Sequence, residues 1–132
     1  MERTLMIIKP DAVKARHIGE IIARIEREGF AIKGLRYLNL TTQQAESFYD
    51  IHTEKPFFRD LVNYMTSGPV VVGWLEHDGA IDKWRGVIGA TDPKKAADGT
   101  IRALFGSSIE NNAVHGSDSP ENGIRETKFF FE

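Results

Sequence analysis

The chain has 132 residues, 17 basic and 19 acidic for a formal net charge of −2, and contains no cysteine. That length suits a single domain spanning residues 1–132 and leaves no room for a second of ordinary size. The missing cysteines exclude disulfides, thiol chemistry and Cys/His metal sites, and the slightly negative charge argues against stable nucleic-acid binding through a broad basic field.

No stretch approaches the roughly 20 apolar residues of a membrane span. Met1-Glu2-Arg3 leads directly into a strand-like run, without a secretory pattern. No membrane partner is expected, and the cytoplasm is the expected compartment.

Thr4–Ile8 reads as a buried first strand, ended by Lys9-Pro10-Asp11, because proline interrupts ladder bonding and can begin a helix. Lys9 therefore stands at the carboxyl end of a strand, as a functional group or as a solvent-facing lysine that closes it. Ile18, Ile21, Ile22 and Ile25 form one apolar stripe of a helix over 18–27, stopped near Gly29. Residues 30–40 have the apolar content of a long strand whose alternation breaks at Gly34, which predicts a bulge or an edge strand.

Thr41 or Thr42 caps a second helix that ends near Phe48 and Tyr49. Lys55-Pro56-Phe57-Phe58 then leads into a short helix through Leu61, Val62 and Met65. The paired phenylalanines read as core packing or as a flat wall for a nucleotide base. Thr66-Ser67-Gly68-Pro69 breaks the chain before a central strand over 70–75. A helix over 80–87 follows, with Trp84 at core spacing, then a loop over 89–93. A short helical turn is expected at 94–97, a short helix at 101–105, a short strand at Ala113-Val114, and a last helix from about Pro120.

Strands alternating with helices support a mixed sheet with helices packed against it, and the economical fit is an α/β (α+β) sandwich: a ferredoxin-like βαββαβ core with an added helical pair and a mainly antiparallel sheet. Glycine-rich phosphate cradles of the G-x-G-x-x-G or G-x-x-x-x-G-K-[ST] type are missing, so a bound nucleotide must rely on side chains.

The stretch Glu110–Asp118 carries the clearest chemical signal. His115 follows a short apolar pair and precedes Gly116, Ser117 and Asp118, which supply an oxygen-rich helix start. Pro120 and Glu121 suit the first turn of that helix. Such a histidine is placed to meet phosphate near a helix N-terminus, although a turn histidine without chemistry has the same local spacing. His17, His52, His77 and His115 make no zinc pattern.

Taken together, Asn112-Ala113-Val114-His115-Gly116-Ser117-Asp118 and four supporting pieces resemble the nucleoside diphosphate kinase family. The supporting pieces are Lys55-Pro56-Phe57-Phe58, Ser67-Gly68-Pro69-Val70, Gly89-Ala90-Thr91-Asp92-Pro93 and Gly99-Thr100-Ile101-Arg102. The resemblance runs from Ile8 to Glu126. It implies transfer of a γ-phosphoryl group from a nucleoside triphosphate, typically ATP, to a nucleoside diphosphate. The implied mechanism is ping-pong, through phosphorylated His115, with broad base and sugar tolerance.

By the same resemblance, Ser117 and Glu126 position His115, and Arg85, Arg102 and Thr91 hold phosphate. Tyr49 and His52 line that end of the pocket. Lys9 and Asn112 meet the sugar hydroxyls, while Phe57 and Ile109 face the two sides of the base. Mg²⁺ is expected to arrive with the nucleotide, with no permanent protein site, and Asp118 lies near its water shell. A homo-oligomer built from dimers is implied, with tetramer and hexamer both open; the chain ends at Glu132, where relatives commonly continue. Trp74, His77 and Trp84 are unusual choices expected to bear on packing between subunits. A binding protein without turnover, and a kinase acting on protein histidine or a small metabolite, are the competing readings.

Overall fold

Strand β1 (Glu2–Ile8) sends its side chains alternately to two faces, and both faces are apolar. Met6 and Ile8 enter one core; Leu5 and Ile7 enter the other. This alternation within an unbroken apolar run makes β1 an interior strand covered on both sides. The computed structural model describes every residue from Met1 to Glu132.

Three further strands, β2 (Ala31–Leu38), β3 (Val70–His77) and β4 (Val114–His115), complete a four-stranded sheet of order β2-β3-β1-β4. Every pairing is antiparallel, so the mixed sheet expected from the alternation of elements is corrected. The reason is the crossover: β1 and β2 both flank β3 and never pair with each other. The strand order is that of the ferredoxin-like core.

Helix α1 (Pro10–Lys14) follows β1 directly, and α2 (Ile18–Arg27) packs Ile21 and Ile25 beneath the first face. Helix α5 (Ala80–Ile88) covers the same face with Trp84 and Ile88. The opposite face is covered by α3 (Thr42–Phe48), α4 (Phe58–Met65) and α7 (Pro120–Phe131), through Phe48, Val62, Met65 and Phe130. Helix α6 (Ile101–Phe105) and a 3₁₀ turn at Asp50–His52 complete the chain. No helix is long and apolar enough to cross a membrane.

Local signals explain most boundaries. Thr41 caps α3 in a reciprocal box, accepting from Gln44 N at 3.0 Å while the Gln44 side chain accepts from Thr41 N at 2.9 Å. Strand β2 is an edge strand, with its register broken between Ile32 and Gly34 as the interrupted alternation predicts. A Cβ at Gly34 would stand 2.8 Å from the Phe131 ring, so the glycine admits the end of α7 onto the sheet.

Four local expectations need correction. Residues 94–97 form turns closed by Asp92 and Pro93 carbonyls, not a helix, because Pro93 and the following Asp98-Gly99 leave no length for one. The last strand is Val114–His115; Ala113 lies outside it, at φ +75°. Ser119 caps α7, accepting from Asn122 N at 3.1 Å, while Ser117 is buried and bonded elsewhere. Trp84 lies wholly inside the subunit, since its indole has an internal hydrogen-bond partner.

Candidate active site

The two-residue strand β4 pairs with the end of β1, setting His115 opposite Ile7 and Val114 opposite Ile8. The His115 side chain is 19% exposed, and its Nε2 lies 2.8 Å from Oε1 of Glu126, about two turns into α7. A carboxylate only accepts, so Nε2 carries a proton, and in the neutral ring Nδ1 keeps its lone pair. Ser117 Oγ donates to the same Glu126 oxygen at 2.8 Å and accepts from Leu5 N at 3.0 Å. The carboxylate is thereby anchored to β1, and its orientation fixes the plane of the ring. Arg125 stands 3.6 Å from the other Glu126 oxygen.

Behind the histidine, Trp84 Nε1 donates to His115 O at 3.1 Å. A Cβ at Gly116 would come within 2.7 Å of the Trp84 ring, so the glycine permits that close approach. Phe48 packs edge-on to the imidazole at 5.8 Å between ring centres. Tyr49 is buried beside it, and burial followed by the Glu126 charge raises its pKa, keeping the phenol neutral. A small cleft of about 140 Å³ joins His115 to His52, Asp118 and Arg125.

His52 Nδ1 is buried without a partner, and burial, then Lys55, lowers the ring's pKa. Asp118 is held below the usual carboxylate range, chiefly by a hydrogen bond from Asn122, with Arg85 contributing charge. It is therefore an anion beside the histidine cleft at neutral pH.

The chain enters β4 through a tight reversal. Val114 N donates to Asn112 O at 2.9 Å, closing a γ-turn around Ala113 at φ +75°. A non-glycine residue in this region costs on the order of 1–3 kcal/mol and needs surrounding bonds to hold it. Lys9 Nζ donates to Asn112 Oδ1 at 2.8 Å, and Asn112 Nδ2 donates to Thr91 O at 3.2 Å. Lys9, Asn112 and Thr91 therefore form one chain of contacts, with Asn112 itself buried. Burial, then the Arg102 charge, lowers the Lys9 pKa to about 8, against a partial offset from Asp11.

Arg85, Thr91 and Arg102 line a cleft of about 530 Å³. Arg102 donates through Nη1 to Gly89 O at 3.0 Å and through Nη2 to Val114 O at 2.9 Å. The guanidinium is thus tied to the strand residue next to His115. Burial and the neighbouring Arg85 lower its pKa to about 10, which leaves it cationic at neutral pH. Arg102 Nε is buried without a partner. Two guanidinium groups and a threonine line this cleft without a glycine-rich loop, with Lys9 near enough for the Arg102 charge to act on it.

A third cleft of about 590 Å³ shares Thr91 with the arginine-lined cleft, is bordered by Lys9, and is walled by Phe57, Leu61, Tyr64 and Ile109. Phe57 and Ile109 are both about half exposed, as a site for a flat apolar group requires. The alternative of core packing for the phenylalanine pair divides between its members: Phe58 is buried and Phe57 is not.

All the sequence-predicted site residues thus border these clefts or hold residues that do. Leu61, Tyr64, Trp84 and the side chain of Asp11 are additions. Phe57, Leu61 and Tyr64 follow the i, i+4, i+7 spacing of one helix face, a signal present in the sequence. Trp84 gives no such sign, because core spacing conceals what its N–H bonds. No group of three or more His, Asp or Glu side chains is gathered as a metal cage. The donor set instead fits a divalent ion carried on phosphate oxygens, with Asp118 as the ionised side chain at hand.

The sequence pattern of the family described as "Nucleoside diphosphate kinase" matches residues 2–132. A nucleoside diphosphate kinase of Halorhodospira halophila is 58% identical over 132 residues, covering 100% of this chain and 94% of the relative. One from Chlamydia trachomatis is 55% identical over 131 residues, covering 99% and 93%. The solved nucleoside diphosphate kinase of Aquifex aeolicus superimposes with a TM-score of 0.97 at 46% identity, covering 99% of this chain and 95% of that one. The Encephalitozoon cuniculi structure gives 0.95 at 37% identity, covering 99% and 89%.

Proposed function

The chain belongs to the nucleoside diphosphate kinase family, and from that premise we propose how its side chains divide the reaction. The enzyme transfers a γ-phosphoryl group from a nucleoside triphosphate to a nucleoside diphosphate, in two half-reactions joined by a phosphohistidine.

The observation that carries the assignment of roles is the His115 Nε2–Glu126 bond of 2.8 Å, which leaves Nδ1 as the nucleophile. Nδ1 attacks the γ-phosphorus in line, the bond to the β-phosphate oxygen breaks, and the diphosphate leaves. A second diphosphate then attacks the phosphohistidine with an oxygen that is already ionised, so no strong base is needed. Glu126 holds the Nε2 proton through both steps, and Ser117 holds Glu126.

Arg85, Arg102 and Thr91 bind the phosphate oxygens, since a guanidinium offers paired donors to the charge that accumulates in transfer. Tyr49 and His52 close that end of the pocket. Lys9 and Asn112 meet the sugar hydroxyls, and Phe57 and Ile109 enclose the base. Stacking on a half-exposed ring reads no base edge, which supports broad base tolerance; an optional 2'-hydroxyl contact supports both sugars. Mg²⁺ arriving with the nucleotide would neutralise phosphate charge, and Asp118 would be the side chain to hold its water shell. Residues 1–132 act as one domain, in the cytoplasm, within a homo-oligomer of dimers, as tetramer or hexamer, without stable nucleic-acid binding.

Intact-protein mass after brief exposure to Mg-ATP, followed by GDP, tests the reading. One phosphoryl group that is absent in His115→Ala and leaves as GTP forms is the expected result. A phosphoryl group retained by His115→Ala removes His115 as carrier, and one that GDP cannot discharge points to another acceptor.

A further inference from the structure

Resting on the reading of His115 as the phosphate carrier, we infer that Asp11 and Tyr64 are positioning residues for phosphoryl transfer, acting through the Ala113 peptide. Ala113 is wholly buried and sits at φ +75°, at the centre of the turn that separates Asn112 from the strand carrying His115. Alanine gains nothing from this conformation, which glycine would adopt without strain. The turn persists because both polar groups of the Ala113 residue are tied to other elements.

Its carbonyl accepts from Lys9 N at 2.8 Å, a backbone bond from the end of β1. Its N–H donates to Asp11 Oδ2 at 3.2 Å, so a carboxylate of α1 is the one side chain bonded to the backbone of Ala113 itself, while Arg102 ties the following carbonyl of Val114. The other Asp11 oxygen accepts from the Tyr64 hydroxyl of α4. Burial, and then this bond to Asp11, raises the Tyr64 pKa, so the phenol remains a donor across neutral and alkaline pH.

Tyr64 also forms part of the wall that Phe57 and Leu61 present to the base cleft. One hydroxyl therefore links the base wall to the strand of the nucleophile, through a single carboxylate and a single strained peptide. Without the clamp, the Ala113 peptide relaxes toward negative φ. That rotation changes the distance and angle between Asn112, which holds Lys9, and His115. The loss falls on the alignment of nucleotide and imidazole. Asp11 also lends charge to Lys9, and glycine at position 113 separates the two roles: it frees the turn from its clamp and leaves the charge of Asp11 untouched.

The test is the single-turnover rate of His115 phosphorylation by Mg-ATP, read by quench-flow and intact mass, with ATP affinity measured calorimetrically. Asp11→Ala is expected to slow phosphorylation about tenfold or more while changing ATP affinity less than about threefold. Tyr64→Phe is expected to slow it about threefold, since it removes only the bond that steadies Asp11. In the Ala113→Gly background both losses should shrink below about twofold, because glycine adopts this φ without strain and the turn no longer depends on the clamp to oppose it.

Losses of equal size with and without Ala113→Gly would overturn the inference and leave Asp11 acting through the charge of Lys9. No loss in either background would also overturn it. Should Asp11→Ala fail to fold, the Tyr64→Phe pair decides by the same comparison. A wild-type enzyme that forms no phosphohistidine refutes the carrier reading; one that does, with variants unaffected, removes only the roles of Asp11 and Tyr64.

Discussion

Lys9 holds a charge that its surroundings resist. Below pH 8 it is protonated in both folded and unfolded chains, and its burial cost is present in full. Between about 8 and its ordinary value of 10.5 the unfolded chain binds the proton and the folded chain does not, so stability rises with pH across that window. The effect is at most on the order of 3 kcal/mol. A bound polyanionic nucleotide favours the charged lysine, so binding at pH 9 should take up close to one proton per site. Calorimetry in two buffers of different ionisation enthalpy measures this. Uptake that persists in Lys9→Met would assign the proton to another group. Phe57 makes a different prediction. Being 47% exposed, it contributes little to the core. Phe57→Ala should weaken adenine, guanine and pyrimidine nucleotides alike, by roughly 1–3 kcal/mol, with the melting temperature almost unchanged. A loss confined to one base contradicts stacking as the mode of recognition.

Among the elements, β4 carries the most function for its length. Two residues pair with β1, a positive-φ turn precedes them, and Trp84 of α5 holds the carbonyl behind His115. Gly116→Ala places a methyl 2.7 Å from the Trp84 ring. It should cost about 1–3 kcal/mol of stability and lower kcat as the indole and the histidine carbonyl shift apart. Unchanged thermal melting and turnover would show that Trp84 moves freely aside. The long helices were readable because their apolar periodicity and caps are local: α2 begins and ends where its isoleucine stripe does, and Thr41 announces α3. The turn at Ala113 was unreadable. Nothing in alanine suggests positive φ, and the bonds that enforce it come from Lys9 and Asp11, about a hundred residues earlier.

At the scale of the molecule, the edge strand β2 leaves Leu35 46% and Tyr37 63% exposed beside unpaired backbone groups. An apolar free edge of this kind favours association with a second copy. If two copies associate through β2, sedimentation should detect assemblies larger than the monomer, and Leu35→Lys should shift them toward smaller species. An unchanged distribution would exclude the β2 edge as an association surface.

The linear chain by itself determined which residues were available for the chemistry and which stretches would be helix or strand, because periodicity, caps and breakers act over a few positions. His115, Arg85, Arg102 and the motif pieces around them were legible on those terms. Only the tertiary structure decided how they work. It brought Glu126 to Nε2 and so freed Nδ1, turned Ser117 inward from its apparent place at a helix start, and drew Lys9, Asn112 and Thr91 into one chain of contacts. It also recruited Asp11, Tyr64 and Trp84, whose partners lie far away in sequence. The physical reason is range: conformational preference is set by neighbours along the chain, whereas tautomer, strain and a shifted pKa are set by whatever the fold packs against a group.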